Sequence, residues 1–511
     1  MKTISRRSFL KTGATAAAVS LATPLFSKGW YSLRGADEAG YFEREFGITD
    51  TLCRKVLAEA LSKGGDFADL YFEHTVSNWL ILEDGKINRA MSDVSLGVGI
   101  RTVNEDQVGY GFTQELNEKS MLMAASTAAT IAEAQAAQPV GKFIRLKTNN
   151  FYPLKTLLTS IPIESRFPLV QSVNDKCFSL SPFIVKANVG FHDQQKRILI
   201  VTSEGTKAED LQPRNYLYAS VIAEKNGRRE RSGWNIGGRY DFSFYTSEAV
   251  EKIAKTAVVR ALVLFETVQP PAGEMPVVLG PGVTGVLLHE AIGHGMEADF
   301  NRKNISTYST MLGKKVAEPF VTIVDDGTIP QITGSINVDD EGTPGQKTVL
   351  VDKGILSSYM HDKISASYYK VKPTGNGRRE SYQHYVQPRM RTTYMEAGPA
   401  KPEDVIKNAK NGIYVQDVSN GQVKIGEGDF AFFVSQGQLI EDGKLGAPIK
   451  DVNIMGNGPK MLLNIIMVAD DFQLTEGGGG ACGKGGQAVP CSFGQPTCLV
   501  KSMTVGGLKA R

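Results

Sequence analysis

The sequence predicts an α+β fold in which helices and antiparallel strands are grouped into several domains. Residues 50–61 carry apolar side chains at helical spacing, and residues 68–114 alternate apolar and polar side chains as strands do. Residues 117–137 are rich in alanine and contain neither glycine nor proline, which favours a further helix. The chain has 511 residues, enough for about two to four domains with substantial cores.

The first domain boundary follows the alanine-rich segment. We expect an N-terminal α+β domain over residues 46–137, with turns at residues 83–85 and 104–106. Residues 138–153 have no periodic pattern and are predicted to form a linker.

A middle domain of antiparallel strands with flanking helices is predicted over residues 154–268. Helices are predicted at residues 163–180 and 247–266. Turns between the strands are predicted at residues 193–195 and 225–227.

The C-terminal domain is expected over residues 274–508, after the proline-rich boundary at residues 270–273. Short apolar runs separated by turns make it mainly β, with strands predicted at residues 320–324, 349–351 and 430–434. A helix that begins soon after Pro281-Gly282 carries the most distinctive motif of the chain.

That motif is the hexapeptide His-Glu-Ala-Ile-Gly-His at residues 289–294. In the familiar zinc-protease helix, H-E-x-x-H, the histidines are four residues apart and the glutamate is the general base. Here the spacing is five, which on a regular α-helix rotates the second imidazole by roughly 140° from the first. A π-type turn would return both rings to one face, and Gly293 lies where the helix would have to widen.

The two histidines leave two interpretations open. The chain has six histidines, so a pair within six residues favours a shared metal ion, with Glu290 placed to take the proton of a metal-activated water. Alternatively, each histidine is a hydrogen-bonded structural residue.

The N-terminus predicts export. Arg6-Arg7 precedes Phe9-Leu10-Lys11 and a mildly apolar run, the pattern of a twin-arginine signal, which we place at residues 1–29. A basic arm without fixed structure is the alternative. The run is too short to cross a bilayer, and no later segment is apolar enough, so we expect a periplasmic product without a membrane span.

Removal of the signal would change the charge balance. The whole chain has 57 basic and 54 acidic residues. The signal contains five basic residues and no acidic one, so 57 − 5 leaves 52 basic residues against 54 acidic ones, or −2. The basicity therefore belongs to the signal, and we expect no nucleic-acid partner.

The five cysteines are too few for a disulfide scaffold in a chain of this length. Cys53 and Cys177 lie in predicted helices and are expected to be small core residues. Cys482, Cys491 and Cys498 are close in sequence, but their spacing does not match a zinc knuckle. Glycines on both sides of Cys482 allow the backbone to approach a metal or ligand closely.

Several ordered segments extend the pattern around the histidine motif. They are 282–297 with its HEAIGHG core, 338–344 (VDDEGTP), 360–363 (MHDK), 373–379 (PTGNGRR), 388–390 (PRM), 428–430 (GDF), 456–459 (GNGP), 482–487 (CGKGGQ) and 494–497 (GQPT). In this order they resemble the TldD/PmbA family of metallopeptidases. The resemblance covers most of residues 50–507 and is densest in the C-terminal half.

The resemblance implies a zinc peptidase that cleaves small or unfolded peptides inside an enclosed chamber. In the TldD-like catalytic branch the metal ligands are two histidines and a later cysteine, which correspond here to His289, His294 and Cys482, with one Zn²⁺ per chain. The general base corresponds to Glu290. The PmbA-like branch lacks these residues and acts as a partner subunit, so we expect a homodimer or a heterodimer with a PmbA-like paralogue.

Two imidazoles and one thiolate leave the fourth position of a tetrahedral zinc open, as in catalytic sites. If Cys482 is not a ligand, Glu297 or Cys491 is the next candidate. The oxyanion of the reaction needs a further donor. The candidate donors, which the sequence does not rank, are Asn376, Arg378, Arg379, His361 and His384. The two arginines equally fit a structural turn.

Two other functions stay open at this point. The chain could be a non-catalytic partner or binding subunit of a TldD/PmbA-type complex with a structural metal, or a metal-dependent hydrolase of a non-peptide amide. A purely structural metal site needs no general base, so the presence of Glu290 favours the peptidase.

Overall fold

The computed structural model describes residues 40–132, 139–478 and 480–507. The predicted signal at residues 1–29 lies outside the described residues. The elements confirm the predicted α+β class. None of the helices in the described ranges is both long and apolar enough to cross a membrane.

The helices predicted at residues 50–61, 163–180 and 247–266 form close to the predicted positions, whereas the helix predicted at residues 117–137 ends at Ala129. The helices are α1 (Tyr41–Phe46), α2 (Asp50–Ala60), α3 (Glu118–Ala129), α4 (Phe167–Leu180), α5 (Ser247–Val263), α6 (Val286–Leu288), α7 (Ala298–Arg302), α8 (Lys363–Tyr369), α9 (Pro402–Ala409) and α10 (Gly458–Leu463). The side chains of Thr49, Asn117 and Thr246 cap α2, α3 and α5 by accepting backbone N–H bonds, which fixes where these helices start.

The strands fall into an N-terminal and a C-terminal group. The first group is β1 (Phe67–Glu83), β2 (Lys86–Asn104), β3 (Gln107–Thr113), β4 (Ile144–Arg145), β5 (Ile184–Thr202), β6 (Thr206–Lys225) and β7 (Arg228–Gly238). The second group is β8 (Gly273–Leu279), β9 (Ile323–Asp326), β10 (Lys347–Asp352), β11 (Ile355–Leu356), β12 (Gly377–Arg378), β13 (Gln387–Pro388), β14 (Thr392–Met395), β15 (Gly412–Lys424), β16 (Asp429–Glu441), β17 (Lys444–Ile449), β18 (Val452–Asn457), β19 (Ile465–Val468), β20 (Gln473–Leu474), β21 (Ala481–Lys484), β22 (Gln487–Pro490), β23 (Ser492–Gln495) and β24 (Cys498–Gly507).

One sheet joins the regions predicted as the N-terminal and middle domains. Its order is β3-β2-β1-β5-β6, with β7 and the short β4 also paired to β6. β1 and β5 pair antiparallel along most of their length, from Asp69 opposite Thr202 to Glu83 opposite Asn188. The sheet therefore runs across the predicted boundary, because the hydrogen bonds of β1 are shared between strands on either side of it.

The two faces of β1 have different surroundings. Even-numbered side chains such as Leu70 and Leu80 pack into apolar cores with the flanking helices. Odd-numbered side chains from Tyr71 to Trp79 face the C-terminal part of the chain. The period-2 alternation of a strand thus places an apolar face under helices and a mostly polar face between the two parts of the molecule.

The predicted turn at residues 193–195 is wrong, since these residues lie in the middle of β5. Polar side chains suggested a solvent-exposed turn, but the neighbouring strands satisfy them. Asp193 is ion-paired with Arg166 and accepts from Asn78, while Gln194 donates to Ser77.

The C-terminal part contains two large sheets that enclose the largest apolar core, and two small two-stranded sheets, β12–β13 and β21–β22. One large sheet has the order β15-β8-β24-β18-β16-β17, with β19 also on β24, and the other large sheet has the order β11-β10-β9-β14-β23-β20. The predicted strand at residues 320–324 begins later, as β9. β21 and β22 form a separate hairpin in which Cys482 lies opposite Val489.

A buried ion cluster links the N-terminal sheet to the C-terminal part. The Arg101 side chain is 2.5 Å from Asp69 and 2.8 Å from Glu341, and all three side chains are fully buried. Arg379 lies 2.9 Å from the other oxygen of Asp69. Burying these charges is tolerable only because each one has partners of opposite sign.

We expect Arg101→Ala to lower the free energy of unfolding by about 3–5 kcal/mol, because it leaves buried carboxylates without their main partner. Urea titration monitored by circular dichroism measures the change. The matched control is Lys55→Ala, whose ion pair with Glu118 is more than half exposed and should be worth about 0–1 kcal/mol. Equal losses in the two variants would contradict the role of the cluster.

Candidate metal centre

The histidine motif leaves the regular α-helix at its first histidine. After the single turn of α6, His289–Gly293 is π-helical and His294–Met296 is a 3-10 turn. The N–H of His294 bonds to the carbonyl of His289, five residues earlier. The predicted distortion is confirmed, and the two imidazole centroids lie 5.2 Å apart.

Gly293 is required by close packing. A Cβ added at this position would lie 2.1 Å from the sulfur of Met390, which is buried in the same core. The absence of a side chain therefore lets Met390 pack directly against the widened turn.

The structure brings His289, His294 and Cys482 together. Their donor atoms all lie within 4.8 Å of one another, and the three residues are buried. Nε2 of His294 is 3.4 Å from Sγ of Cys482. The bond lengths of tetrahedral zinc require a ligand-to-ligand separation of about 3.5 Å, so this pair already has the needed spacing.

The remaining contacts of the histidines also fit a metal. Nδ1–H of His294 donates to Glu297 at 2.9 Å, which leaves its Nε2 as the free lone pair facing Cys482. Nδ1 of His289 is buried and has no hydrogen-bond partner among the described residues. Two imidazoles and one thiolate are a donor set that zinc prefers.

The charges of the cluster favour the thiolate of Cys482, which is the form that binds a metal, and the protonated form of His294, which would have to lose its proton from Nε2 when a metal binds. A hydrogen bond from Cys491, opposed by burial and aided by His289 and His294, holds the pKa of Cys482 well below its usual range. The Cys491 thiol, which donates that bond in a buried position, has its pKa raised. Burial alone would lower the pKa of His294, but Glu297 and Cys482 raise it well above its ordinary value. None of the five cysteines, all of which are described, forms a disulfide.

A set of buried charges surrounds Glu297. Its carboxylate accepts from His294, lies 3.2 Å from Nζ of Lys484 and is 4.0 Å from Nε of Arg389. Lys484 is also bonded to Asp299 and to a backbone carbonyl. Glu297 therefore sets the orientation of His294, while Lys484 is its nearer cation and Arg389 adds a longer-range positive charge.

Arg389 also fixes the hairpin that carries Cys482. Its guanidinium donates to the carbonyl of Cys482, on β21, and to that of Gln487 at 3.4 Å, on β22. One side chain thus contacts both strands of the hairpin and the glutamate that orients His294. Sequence reasoning named Glu297 only as a spare ligand and assigned no role to Arg389 or Lys484. The position of Glu297, three residues after His294, was the one available signal.

Glu290 lies at the accessible side of the cluster. Its carboxylate is 3.8 Å from Nε2 of His294, and its side chain is 24% exposed, whereas His294 is almost fully buried. Glu290 and His294 both line a cavity of about 480 Å³, together with Phe300, Gly483 and Lys484.

The predicted oxyanion donors do not contact the three cluster side chains directly. Within the described residues, no hydrogen bond, ion pair or ring contact joins them to the three cluster side chains. Both N–H groups of the Asn376 amide are used, by Asp325 at 2.7 Å and the carbonyl of Arg389 at 2.9 Å. Arg379 is paired with Asp69, and Arg378 donates to the carbonyl of Met390.

The two candidate histidines are also held by other contacts. His361 is buried between the rings of Tyr359 and Tyr369, and burial lowers its pKa to about 4. His384 is half-buried and shares a hydrogen bond with Ser381. The structure therefore does not bring His361 or His384 to the cluster.

These features define an α+β chain with a buried histidine–cysteine metal centre as its candidate site. The chain belongs to the PmbA/TldA metallopeptidase family. The family's C-terminal domain matches residues 272–507, its central domain residues 157–265 and its domain 1 residues 68–132.

Relatives share most of the chain. The metalloprotease TldD homolog of Haemophilus influenzae is 40% identical over 449 residues, which are 86% of this chain and 93% of the relative. The zinc metalloprotease TldD homolog of Saccharolobus solfataricus is 27% identical over 89% of this chain and 99% of its own length. The crystal structure of TldE from Thermococcus kodakarensis matches with a TM-score of 0.69 and 18% identity, covering 90% of this chain and 99% of that one. At that identity the likeness shows the fold alone.

We expect Glu297→Gln to weaken zinc binding by about 10- to 100-fold, the usual effect of losing a carboxylate that orients a ligand histidine. Competition with a chromophoric chelator measures the zinc affinity. Glu318→Gln is the control, because Glu318 forms an exposed ion pair with Lys315 and should leave the affinity unchanged. An unchanged affinity in Glu297→Gln would rule out this orienting role.

Proposed function

We propose that this protein is a zinc-dependent peptidase that hydrolyses peptide bonds of small or unfolded peptides. His289, His294 and Cys482 would hold one Zn²⁺ per chain, and Glu290 would act as general base toward a metal-activated water. The position of Glu290 carries the proposal, because its carboxylate lies beside the cluster in the lining of a cavity. The printed name of the Saccharolobus relative, a zinc metalloprotease, supports the choice of metal.

Zinc at this position would polarise the scissile carbonyl and acidify a water molecule. The residues of the chain transfer the proton, orient His294 and leave space for the substrate. Glu290 accepts the proton of the attacking water and passes it to the leaving amine. Glu297 keeps the proton of His294 on Nδ1, so that Nε2 stays available to the metal. Gly483, which has no side chain, leaves room in the cavity for a peptide backbone.

The alternative is a partner subunit in which the metal is structural. A structural zinc site normally has four protein ligands, whereas the cluster in the described residues has three. An acidic side chain at the open side of such a site would have no structural purpose. Both observations favour the peptidase.

We also propose that the chain is exported by the twin-arginine route and works in the periplasm. The support is the sequence at Arg6-Arg7, since residues 1–29 lie outside the described residues. Replacing both arginines by lysine should leave the full-length protein in the cytoplasmic fraction of a bacterium that has this route, while the wild type reaches the periplasmic fraction. Periplasmic delivery of the lysine variant would refute the proposal.

For the peptidase, we expect Glu290→Gln to keep about one zinc per chain and to lower hydrolysis of short peptides by roughly two to four decades. Cys482→Ala is the matched comparison and should lose both zinc and activity. Elemental analysis and peptide-cleavage assays on the same preparations measure the two properties. Normal turnover by zinc-loaded Glu290→Gln would rule out Glu290 as the base, and full zinc content in Cys482→Ala would rule out Cys482 as a ligand.

A further inference from the structure

A second cavity, of about 350 Å³, lies between the N-terminal sheet and the C-terminal part of the chain. One wall is the polar, odd-numbered face of β1, from Tyr71 to Trp79. The opposite wall includes Ala481, Ala488 and Pro490 of the β21–β22 hairpin. Side chains alternate along a strand, so these residues lie on the face of the hairpin opposite Cys482.

Three arginines line this cavity without a carboxylate partner. Arg239 and Arg378 are 2% and 5% exposed, and Arg214 is half-buried. None of the three forms an ion pair within the described residues. Arg378 donates once, to the carbonyl of Met390, whereas Arg239 donates to Thr333 and Pro213 carbonyls and Arg214 to those of Gly478 and Gly480. Each guanidinium has five N–H groups, so most of the donors in the cavity remain unused.

The pKa values of two of these arginines are consistent with guanidinium groups that lack an anionic partner. Burial lowers the pKa of Arg378 to about 10; Asp340 opposes the shift, while Arg239 and Arg389 add to it. Burial and the charge of Arg239 likewise lower the pKa of Arg214. Several cations that disfavour one another's charge in one buried cavity are costly unless an anion joins them.

The acidic residues in the walls are already occupied. Glu73 is paired with Lys196 at 3.3 Å, and Glu380 accepts the N–H of Ala488 at 2.6 Å. Asp340 accepts the N–H of Arg379, and Asp339 accepts three backbone N–H bonds. Asp93 is exposed. Asp340 acts on Arg378 through its charge, but none of these lining carboxylates lies within ion-pair distance of Arg214, Arg239 or Arg378.

We propose that this cavity binds the free C-terminal carboxylate of a short peptide through Arg214, Arg239 and Arg378. Guanidinium groups bind carboxylates through paired N–H donors, and a buried site strengthens such bonds. The choice of a peptide rests on the proposed peptidase function, and the site lies just behind the hairpin that supplies Cys482. A carboxylate site at this position would make short peptides with a free C-terminus the preferred class of ligand.

The test is calorimetric titration of zinc-loaded Glu290→Gln protein with tri-alanine and with tri-alanine amide. We expect the acid to bind at least about tenfold more tightly than the amide, as for a hydrogen-bonded charge. Arg378→Gln in the same background should abolish the difference. Arg229→Gln, which removes a largely exposed arginine of β7, should preserve it. Because binding is measured without turnover, failure of this proposal is separate from failure of the peptidase assignment.

Equal affinity for acid and amide, or a difference that persists in Arg378→Gln, would overturn the proposal. Inorganic phosphate is titrated in parallel. Arg378-dependent binding of phosphate, with no preference for the peptide acid, would show an anion site that is not for peptides. If Arg378→Gln folds poorly, Arg214→Gln tests the same prediction at a half-buried position, and the acid-to-amide comparison in the parent protein needs no arginine variant.

Discussion

The candidate centre depends on the widened turn between His289 and His294. With the histidines five positions apart, a regular α-helix would point the two rings in different directions. The π-helical turn corrects this, and contacts from other elements hold it. Met390 packs against Gly293, the ring of Phe493 contacts His289, and Gly458 lies against the carbonyl of Ala291 so closely that a Cβ there would be 2.0 Å from it. A π-turn is rare in isolation, so the packing of β23, α10 and the segment of Met390 is what makes the motif usable.

Arg389 provides the second constraint, because the third cluster residue comes from a hairpin far along the chain. The contacts of Arg389 with the carbonyls of Cys482 and Gln487 hold β21 and β22 at a fixed distance from Glu297. Lys484, in the same hairpin, forms ion pairs with Glu297 and Asp299. The helical and hairpin halves of the cluster are therefore joined by charge-assisted bonds in a buried region, where such bonds are strongest and where a missing partner costs most.

Local patterns predicted much of the fold and the centre of the candidate site. Helical periodicity and composition predicted α2, α5 and the start of α3, and the five-residue spacing predicted the distortion at His289. Two features were out of reach of local patterns. Residues 193–195 looked like a turn because their partners, Arg166, Asn78 and Ser77, come from other elements. The role of Arg389 depends on contacts with residues 93 and 98 positions away, which periodicity and spacing do not report.

The misread segment and the arginine-lined cavity have one physical origin. Between the N-terminal sheet and the C-terminal part, the chain buries polar and charged side chains beside two small apolar clusters. Asp69, Arg101 and Glu341 satisfy one another there, and the interface is closed at that point. Farther along the same face of β1, the three arginines have carbonyl and aromatic partners but no carboxylate within ion-pair distance, and the interface is open as a cavity. Both parts of this interface contain buried arginines. Where the arginine is ion-paired with carboxylates, the interface stabilises the fold, and where the arginines have no ion pair, it is available to a ligand.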